Sequence, residues 1–520
     1  MKSGAPQYKS GKSVAMTFKT GYRHPMTYDL LIIGGGINGT AIARDAVGRG
    51  LKVLLCERDD LASHTSSAST KLIHGGLRYL EYYEFNLVRH ALKEREVMLR
   101  AAPHIIWPMR FVLPYDKGLR PAWMLRTGLF LYDHIGGREM LPGSKSLKLD
   151  KAPHLGVLES RFTTGFEYSD CWVDDARLVV LYAIDAANRG ADIRTRTEVL
   201  TVETTGRGYK AEISHNGKRE TVEAKGVVNA AGPWVDAVLS KVKTEEAEQS
   251  LRLVTGSHII TKKLFDGDHA YLFQNADNRV IFAIPYEHNY TLIGTTDKPY
   301  NLEDGPVKIS QDEISYLCEA ASEYFQNDIS PDDVVWDYAG VRPLYDDKAV
   351  DASAVTRDYK LNVEEYSDGA PFLSVYGGKI TTSRRLGEHA MNELKDYYDY
   401  KTGDWTETAL LPGGDLINSD FELFFTDMHK RYRAMNTDLL RRLCHAYGTR
   451  ITLILGDGTN QPELGQHFGA GLYELEANYL INYEWATSAD DILWRRSKLG
   501  LHMSETERAA FTDWFAANNS

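Results

Sequence analysis

The sequence predicts an α/β protein in three parts: a Rossmann-like nucleotide-binding domain, an inserted α+β domain on an antiparallel sheet, and a helical domain at the C-terminal end. Three observations predict it. An apolar run at 28–33, "YDLLII", opens directly into a turn with glycines at 34, 36 and 39. Between 256 and 297 the strand-like runs "AYLFQ", "RVIFAIPY" and "YTLIGTT" are separated by the turn-prone "NADN" and "EHN", the pattern of an antiparallel meander. Beyond about residue 405 the spacing becomes helical: Leu439, Leu440, Leu443, Cys444 and Tyr447 share one face, Asn436 is an N-cap and Gly448 a stop. Ser504 and Glu507 have the spacing of a capping box before a last helix.

The first turn carries the strongest chemical signal. Gly34, Gly36 and Gly39 permit a tight turn and close backbone approach, so that a pyrophosphate sits on the N-terminus of the helix that runs through Ile42 and Ala46 and ends near Gly48 and Gly50. A second strand at 52–56 delivers Glu57, an acid for ribose hydroxyls. An acid rather than an arginine there favours a free 2′-hydroxyl, hence FAD or NAD over NADP.

Two further turns separate FAD from NAD. "GVVNAAGPWVD" reads as a strand at 226–228 closing on Ala230, Ala231 and Gly232, small enough for backbone to lie against a cofactor. "PFLSVYGGKITTSRRLGEHA" reads as a strand to Tyr376, a Gly377-Gly378 turn and a helix whose N-terminal amides and Lys379 point the same way. A helix N-terminus beside a cation suits an anionic reduced flavin. The stretch "SSASTKLIHGGLRYLE" at 66–81 is rich in hydrogen-bonding groups; residues 66–70 are expected to cap a short helix that Gly75 and Gly76 end.

Composition excludes several classes. The chain has 520 residues, 43% hydrophobic and 25% charged, too long for one core and ordinary for a folded protein. A net charge of -12 argues against nucleic acid as the main partner. Cys56, Cys171, Cys318 and Cys444 are far apart, which suits neither a disulfide framework nor a zinc site. No HExxH pair is present, and "GGKITT" is no P-loop because Leu373 stands where its first glycine belongs. No apolar run reaches the roughly 18 residues a membrane span needs. Residues 1–25, with Lys2, Lys9, Lys12, Lys19, Arg23 and no acid, are expected to be a disordered extension, with Met26 as an alternative start.

With these pieces the chain resembles the aerobic, respiratory FAD-dependent glycerol-3-phosphate dehydrogenase family. The resemblance rests on "IIGGGINGTAIARDAVGRG", "SSASTKLIHGGLRYLE", "RPAWMLRTGLFLYDH", "GFEYSDCWVDDARLV", "VVNAAGPWV", "GSHII", "LIGTTD", "AGVRPL" and "GGKITTSR", in family order from about residue 26 to the end. It implies a flavin domain of the glutathione-reductase/D-amino-acid-oxidase type in segments 26–100, 165–255 and 331–400. The substrate domain would take 101–164 and 256–330, and a helical domain 401–520. It implies non-covalent FAD, hydride transfer from C2 of sn-glycerol 3-phosphate to flavin N5, dihydroxyacetone phosphate as product and membrane quinone as acceptor. The expected place is the inner face of the cell membrane, attached peripherally from the cytoplasm; a homodimer is a further expectation.

Within that resemblance the cofactor contacts are expected at Gly34, Gly36, Asn38, Gly39, Glu57, Ser66, Ser67, Ser69, Thr70, Lys71, His74, Gly75, Gly76, Val199, Ala231, Gly232, Trp234, Gly378, Lys379, Ile380 and Thr381. His74 is read as a hydrogen-bonding neighbour rather than a covalent link. The substrate requires cations for its phosphate and a base for its O2 proton. Arg342 and Arg78, each inside an apolar motif, are the first cationic candidates, and Arg357 in "VTRDY" is the third. His258 in "GSHII" is the candidate base, and Lys379 either steadies the reduced flavin or touches the substrate oxygen. The alternatives are an oxidase that makes hydrogen peroxide, an amine or amino-acid oxidase of the same superfamily, and a non-catalytic flavin protein. The absence of a spare segment between the meander and "AGVRPL" favours quinone over oxygen. Trp123, Met124, Leu129 and Phe130 beside Arg120 and Arg126 suit an interfacial helix, with burial against the substrate domain as the other reading.

Overall fold

The computed structural model describes residues 27–519 except 117–120, 243–250, 276–278, 346–357, 368, 457 and 459–462. The expected extension at 1–25, Arg120 and Arg357 therefore lie outside the described residues.

The strand Thr27–Ile33 is buried on both faces because it runs parallel between Val53–Cys56 and the end of Lys218–Asn229. The apolar run Leu30–Ile33 follows from that position, since a central parallel strand has no solvent face. Ala370–Tyr376 lies parallel to the far side of Lys218–Asn229, and Asp192–Arg194 flanks Val53–Cys56. The helices Ile37–Gly48, Asp175–Asn188 and Ser383–Glu393 pack together over this sheet. All three expected turns thus lie at ends of parallel strands of one sheet.

Among the described residues the second sheet has ten strands. Ala270–Gln274, Val280–Tyr286 and Tyr290–Gly294 form the expected meander, paired antiparallel in sequence and joined at its edge to Leu251–Lys262. Two segments differ from the expected domain limits. Thr164–Val173 pairs along Ile106–Pro114, and Val334–Tyr345 pairs along Leu251–Lys262, so both belong to the second sheet although most of each lies in the segments expected for the flavin domain. The reason is backbone satisfaction: these strands find ladder partners only there.

The stretch at 66–81 is not a helix. Thr65–Ser67 is a single 3-10 turn, Leu72–Ile73 is a short strand on Thr164–Val173, and Leu77–Tyr82 is a second 3-10 segment after a left-handed Gly76. Ser66, Ser69, Thr70 and Lys71 are drawn to partners on other elements, which outweighs the local capping pattern.

The C-terminal domain is helical, with Thr437–Tyr447 capped by Asn436 and Glu505–Asn518 opened by the Ser504/Glu507 capping box. It has its own core around Leu440, Leu480 and Phe511. Ion pairs fasten it to the rest: the buried Arg177 to Glu484 and Arg496 to Asp60 at 2.7 and 2.8 Å, and the half-buried Arg196 to Asp491 at 2.8 Å. No helix among the described residues is long and apolar enough to cross a membrane.

His104 sits under this junction, fully buried, with its backbone carbonyl accepting from His445 Nδ1 at 3.0 Å. Burial, with Arg177 nearby, lowers its pKa to about 3. An unfolded chain's histidine takes a proton below about 6.5, whereas folded His104 refuses it until about 3. Stability is therefore intact above 6.5 and falls as pH drops through this window, by up to about 1.4 kcal/mol per pH unit. Thermal unfolding followed from pH 7 to 4.5 should show a shallower acid slope in His104→Leu than in the wild type; equal slopes would rule this residue out as the cause.

Candidate functional site

The nucleotide cleft is built from backbone that cannot carry side chains. Gly34 has φ +113°, and a Cβ there would lie 2.5 Å from the Ala230 carbonyl oxygen, so two parallel strands can end side by side only with glycine at this point. A Cβ on Gly39 would fall on the Gly34 carbonyl, which explains the third glycine as helix-to-turn packing. The cavity measures about 190 Å³ and opens to solvent. Its walls include Gly34, Gly36, Asn38, Glu57, Ser66, Val199, Ala231, Gly232, Trp234 and Gly378 of the expected contacts.

Glu57 is buried at the end of its strand and accepts the Gly35 N–H at 2.6 Å and the Asp59 N–H at 2.8 Å. Burial raises its carboxyl pKa, and those two N–H groups oppose the rise. Ser66 Oγ accepts the Ile37 N–H at 3.0 Å at the helix N-terminus. Asn38 Nδ2 donates to Gly377 O at 2.9 Å, which ties the first glycine turn to the last, while its Oδ1 is buried without a partner among the described residues. Sequence reasoning missed Arg58 and His64, which pack at 4.1 and 4.7 Å on the Trp234 ring and make an aromatic platform on the cleft wall. No motif marked them. The glycine cradle, the ribose acid, the helix N-terminus and the orphaned Asn38 oxygen all fit FAD, which these residues would hold.

The other half of the site is a face of the second sheet. The antiparallel register pairs His258 with Tyr338, Gly256 with Gly340 and Val254 with Arg342. Alternate residues share a face, so His258 and Arg342 stand on one side with two glycines between them. Each side chain lies across a neighbouring strand where only glycine leaves room: a Cβ on Gly294 would fall on the His258 ring, and one on Gly256 on the Arg342 guanidinium. His258 is 1% exposed, stacks on Tyr338 with ring centroids 4.8 Å apart, and has Nε2 3.0 Å from Thr70 Oγ1. Burial, then Arg342 and Lys71, push its pKa well below the usual value. Arg342 is half-buried, with Nη1 on Asp297 and Nη2 donating to Thr295 Oγ1 at 2.9 Å.

The stretch at 66–81 joins the two halves. Thr65 Oγ1 donates to Val341 O at 2.7 Å, Thr70 meets His258, and the His74 N–H donates to Thr381 Oγ1 at 3.2 Å. That last bond brings His74, Gly75 and Gly76 beside the Lys379–Thr381 turn, where Lys379 Nζ lies 4.2 Å from the centre of the Tyr79 ring.

Ser67, Ser69 and Lys71, expected at the cofactor, are not brought to the cleft. Ser67 Oγ donates to His64 O at 3.3 Å, Ser69 Oγ to Asp175 at 2.8 Å, and the buried Lys71 ammonium contacts both Asp175 oxygens at 2.9 Å. Burial would raise the Asp175 carboxyl, but Lys71 and Lys498 outweigh it and hold it below its usual pKa. This buried ion pair fixes the backbone on which Thr70 meets His258. Arg78 is half-buried with its guanidinium on Tyr82, 3.3 Å from the hydroxyl, and has no carboxylate partner among the described residues.

Known proteins share this fold and sequence. Residues 29–384 match the FAD dependent oxidoreductase family, and residues 405–514 match the C-terminal domain of alpha-glycerophosphate oxidase. The chain is 51% identical over 493 residues to a D-erythritol 1-phosphate dehydrogenase of Brucella abortus, covering 94% of this chain and 98% of that one. It is 48% identical to a glycerol-3-phosphate dehydrogenase of Pseudomonas aeruginosa, covering 92% and 93%. It is 45% identical to the aerobic glycerol-3-phosphate dehydrogenase of Escherichia coli, covering 94% and 97%. The solved structure of the Bacillus halodurans glycerol-3-phosphate dehydrogenase complexed with FAD has a TM-score of 0.72 at 25% identity, covering 94% of both chains. An alpha-glycerophosphate oxidase of Mycoplasma pneumoniae shares the fold, with a TM-score of 0.58 at 19% identity over 74% of this chain and 99% of that one. The chain belongs to the FAD-dependent oxidoreductases, in the branch of the aerobic glycerol-3-phosphate dehydrogenases, with FAD as its cofactor.

Proposed function

We propose that the protein oxidises sn-glycerol 3-phosphate to dihydroxyacetone phosphate and passes the electrons to membrane quinone. The observation that carries this reading is the sheet face on which a guanidinium and a neutral imidazole flank two glycines. Bound FAD supplies the two-electron acceptor. Arg342 binds the phosphate by exchanging its exposed partner Asp297 for phosphate oxygens, with Thr295 keeping the fork oriented. His258 accepts the proton of the secondary alcohol at Nε2, and the Thr70 hydroxyl, now on that nitrogen, gives way to it. Gly294 on one side and Tyr338 on the other hold the ring in one orientation. Arg78 is a second cation for the substrate. Lys379, beside Tyr79, steadies negative charge at the reactive end of the cofactor or meets the substrate oxygen.

A second reading takes D-erythritol 1-phosphate as substrate, favoured by the 51% identity to the Brucella abortus enzyme over 98% of that chain. The chemical demands are the same, a phosphate cation and a base for a secondary hydroxyl, with one more hydroxymethylene to house.

Contact with the membrane is assigned to the helix Ala122–Ile135. Only Leu129 and Tyr132 of it are buried, while Trp123 is 67% and Phe130 61% exposed, with Met124 and Leu131 beside them. Tyr82, Tyr83 and Phe85, where the neighbouring Leu77–Tyr82 segment passes into the helix Phe85–Ala101, extend the same apolar surface. A helix with this exposure suits the headgroup boundary of a bilayer.

Assays with a soluble quinone analogue should show turnover of both phosphates and, because charge-assisted phosphate contacts are lost, about 10²-fold or poorer efficiency with glycerol. Higher kcat/KM for glycerol 3-phosphate supports the first reading, higher kcat/KM for D-erythritol 1-phosphate moves the assignment to the second, and no turnover of either ends both. Trp123→Glu combined with Phe130→Glu should release the enzyme from phospholipid vesicles with soluble-acceptor activity unchanged; undiminished co-sedimentation would remove this helix from the membrane surface.

A further inference from the structure

Beneath the His74–Gly76 turn lies a polar assembly that neither cofactor nor substrate would touch. Tyr132, Asp170 and Arg95 are each 2% exposed. The Tyr132 hydroxyl donates to Asp170 at 2.8 Å, and its oxygen accepts the Gly75 N–H at 2.8 Å. Arg95 Nη1 donates to Asp170 Oδ1 at 2.8 Å and to Ser169 O at 2.7 Å. Burial and the adjacent Asp170 raise the Tyr132 hydroxyl well above the ordinary phenol range, so it remains a donor.

A buried carboxylate, guanidinium and phenol are poor stabilisers compared with apolar side chains of the same volume. What this assembly does hold is a single backbone N–H. Gly75 has no room for a side chain, since a Cβ would lie 2.8 Å from the Tyr132 hydroxyl and closer still to Leu92. Gly76 then turns left-handed, with φ +74°, and a Cβ there would fall on the Tyr79 ring, the ring against which Lys379 rests. On the other side His74 is bonded to Thr381.

We infer that Tyr132, held by Asp170 and Arg95, is a positioning residue that sets the Gly75–Gly76 turn and, through Tyr79 and Thr381, the placement of Lys379 in the redox site. Tyr132 lies on the helix that carries the exposed Trp123 and Phe130, so the same bond ties that surface to the turn. The inference rests on the FAD assignment and on the location of the turn, not on which polyol phosphate is oxidised.

The test uses holoenzyme of Tyr132→Phe, with Asp170→Asn as the second variant if the first fails to fold and Leu129→Ala as a control that loosens the same helix without touching the turn. FAD content, the visible spectrum and midpoint potential of the bound flavin, kcat and KM are measured for each. The inference predicts a kcat about tenfold or more lower in Tyr132→Phe or Asp170→Asn, KM changed less than about threefold, and a shifted flavin spectrum and potential, none of which Leu129→Ala shows. Wild-type kcat and an unshifted spectrum and potential in the tyrosine and aspartate variants would overturn it. So would a kcat loss that Leu129→Ala reproduces at equal loss of thermal stability, which is what a purely structural role requires.

Discussion

The site depends on one constraint, the antiparallel register between Leu251–Lys262 and Val334–Tyr345. It alone puts His258 and Arg342 on one face and sets Gly256 opposite Gly340 between them. A slip by one residue would send one of the two side chains to the opposite face, because side chains alternate along a strand. The register is pinned from outside the pair. Tyr338 donates to Ser69 O at 2.7 Å, Thr65 donates to Val341 O, and a Cβ on Gly340 would lie 2.7 Å from Ala68 Cβ. The segment that leaves the nucleotide domain is therefore also the clamp that holds the substrate sheet in place.

That clamp has its own foundation. Lys71 and Asp175 form a buried ion pair at the start of the helix Asp175–Asn188, and the same helix carries Arg177, paired with Glu484 of the C-terminal domain. Replacing one partner of such a pair leaves an uncompensated charge and costs about 3–5 kcal/mol. The C-terminal domain, which has no chemistry of its own visible in its motifs, is thus joined through one helix to the backbone that meets His258. Asp60, a few residues before the Thr65–Ser67 turn, is held by Arg495 and Arg496 from the same domain.

Local patterns made much of this legible. The glycine turn, Glu57, the Asn436 cap, the Ser504 box and the meander are each short-range consequences of backbone geometry, and each is present where its residues predict it. The stretch at 66–81 misled because its serines read as helix caps, while the actual partners of Ser66 and Ser69, the Ile37 amide and Asp175, lie far away in sequence. Lys71 misled for the same reason: a cation in a cofactor motif gives no sign that a carboxylate on another helix will take it. The domain limits at 164–173 and 334–345 turned on strand pairing, which no single segment encodes. The Tyr132 assembly joins a helix, a strand and a loop, and no spacing in the chain announces it.

The central claim is that this register builds a phosphate cation and a proton acceptor on one face. It is tested most directly by the anaerobic rate of flavin bleaching as a function of glycerol 3-phosphate concentration in wild type, Arg342→Leu and His258→Asn. The account predicts that Arg342→Leu raises the half-saturating concentration about 10-fold to 100-fold, while His258→Asn lowers the limiting rate about 10²-fold or more. Bleaching in both variants with the wild-type concentration dependence and limiting rate would contradict it.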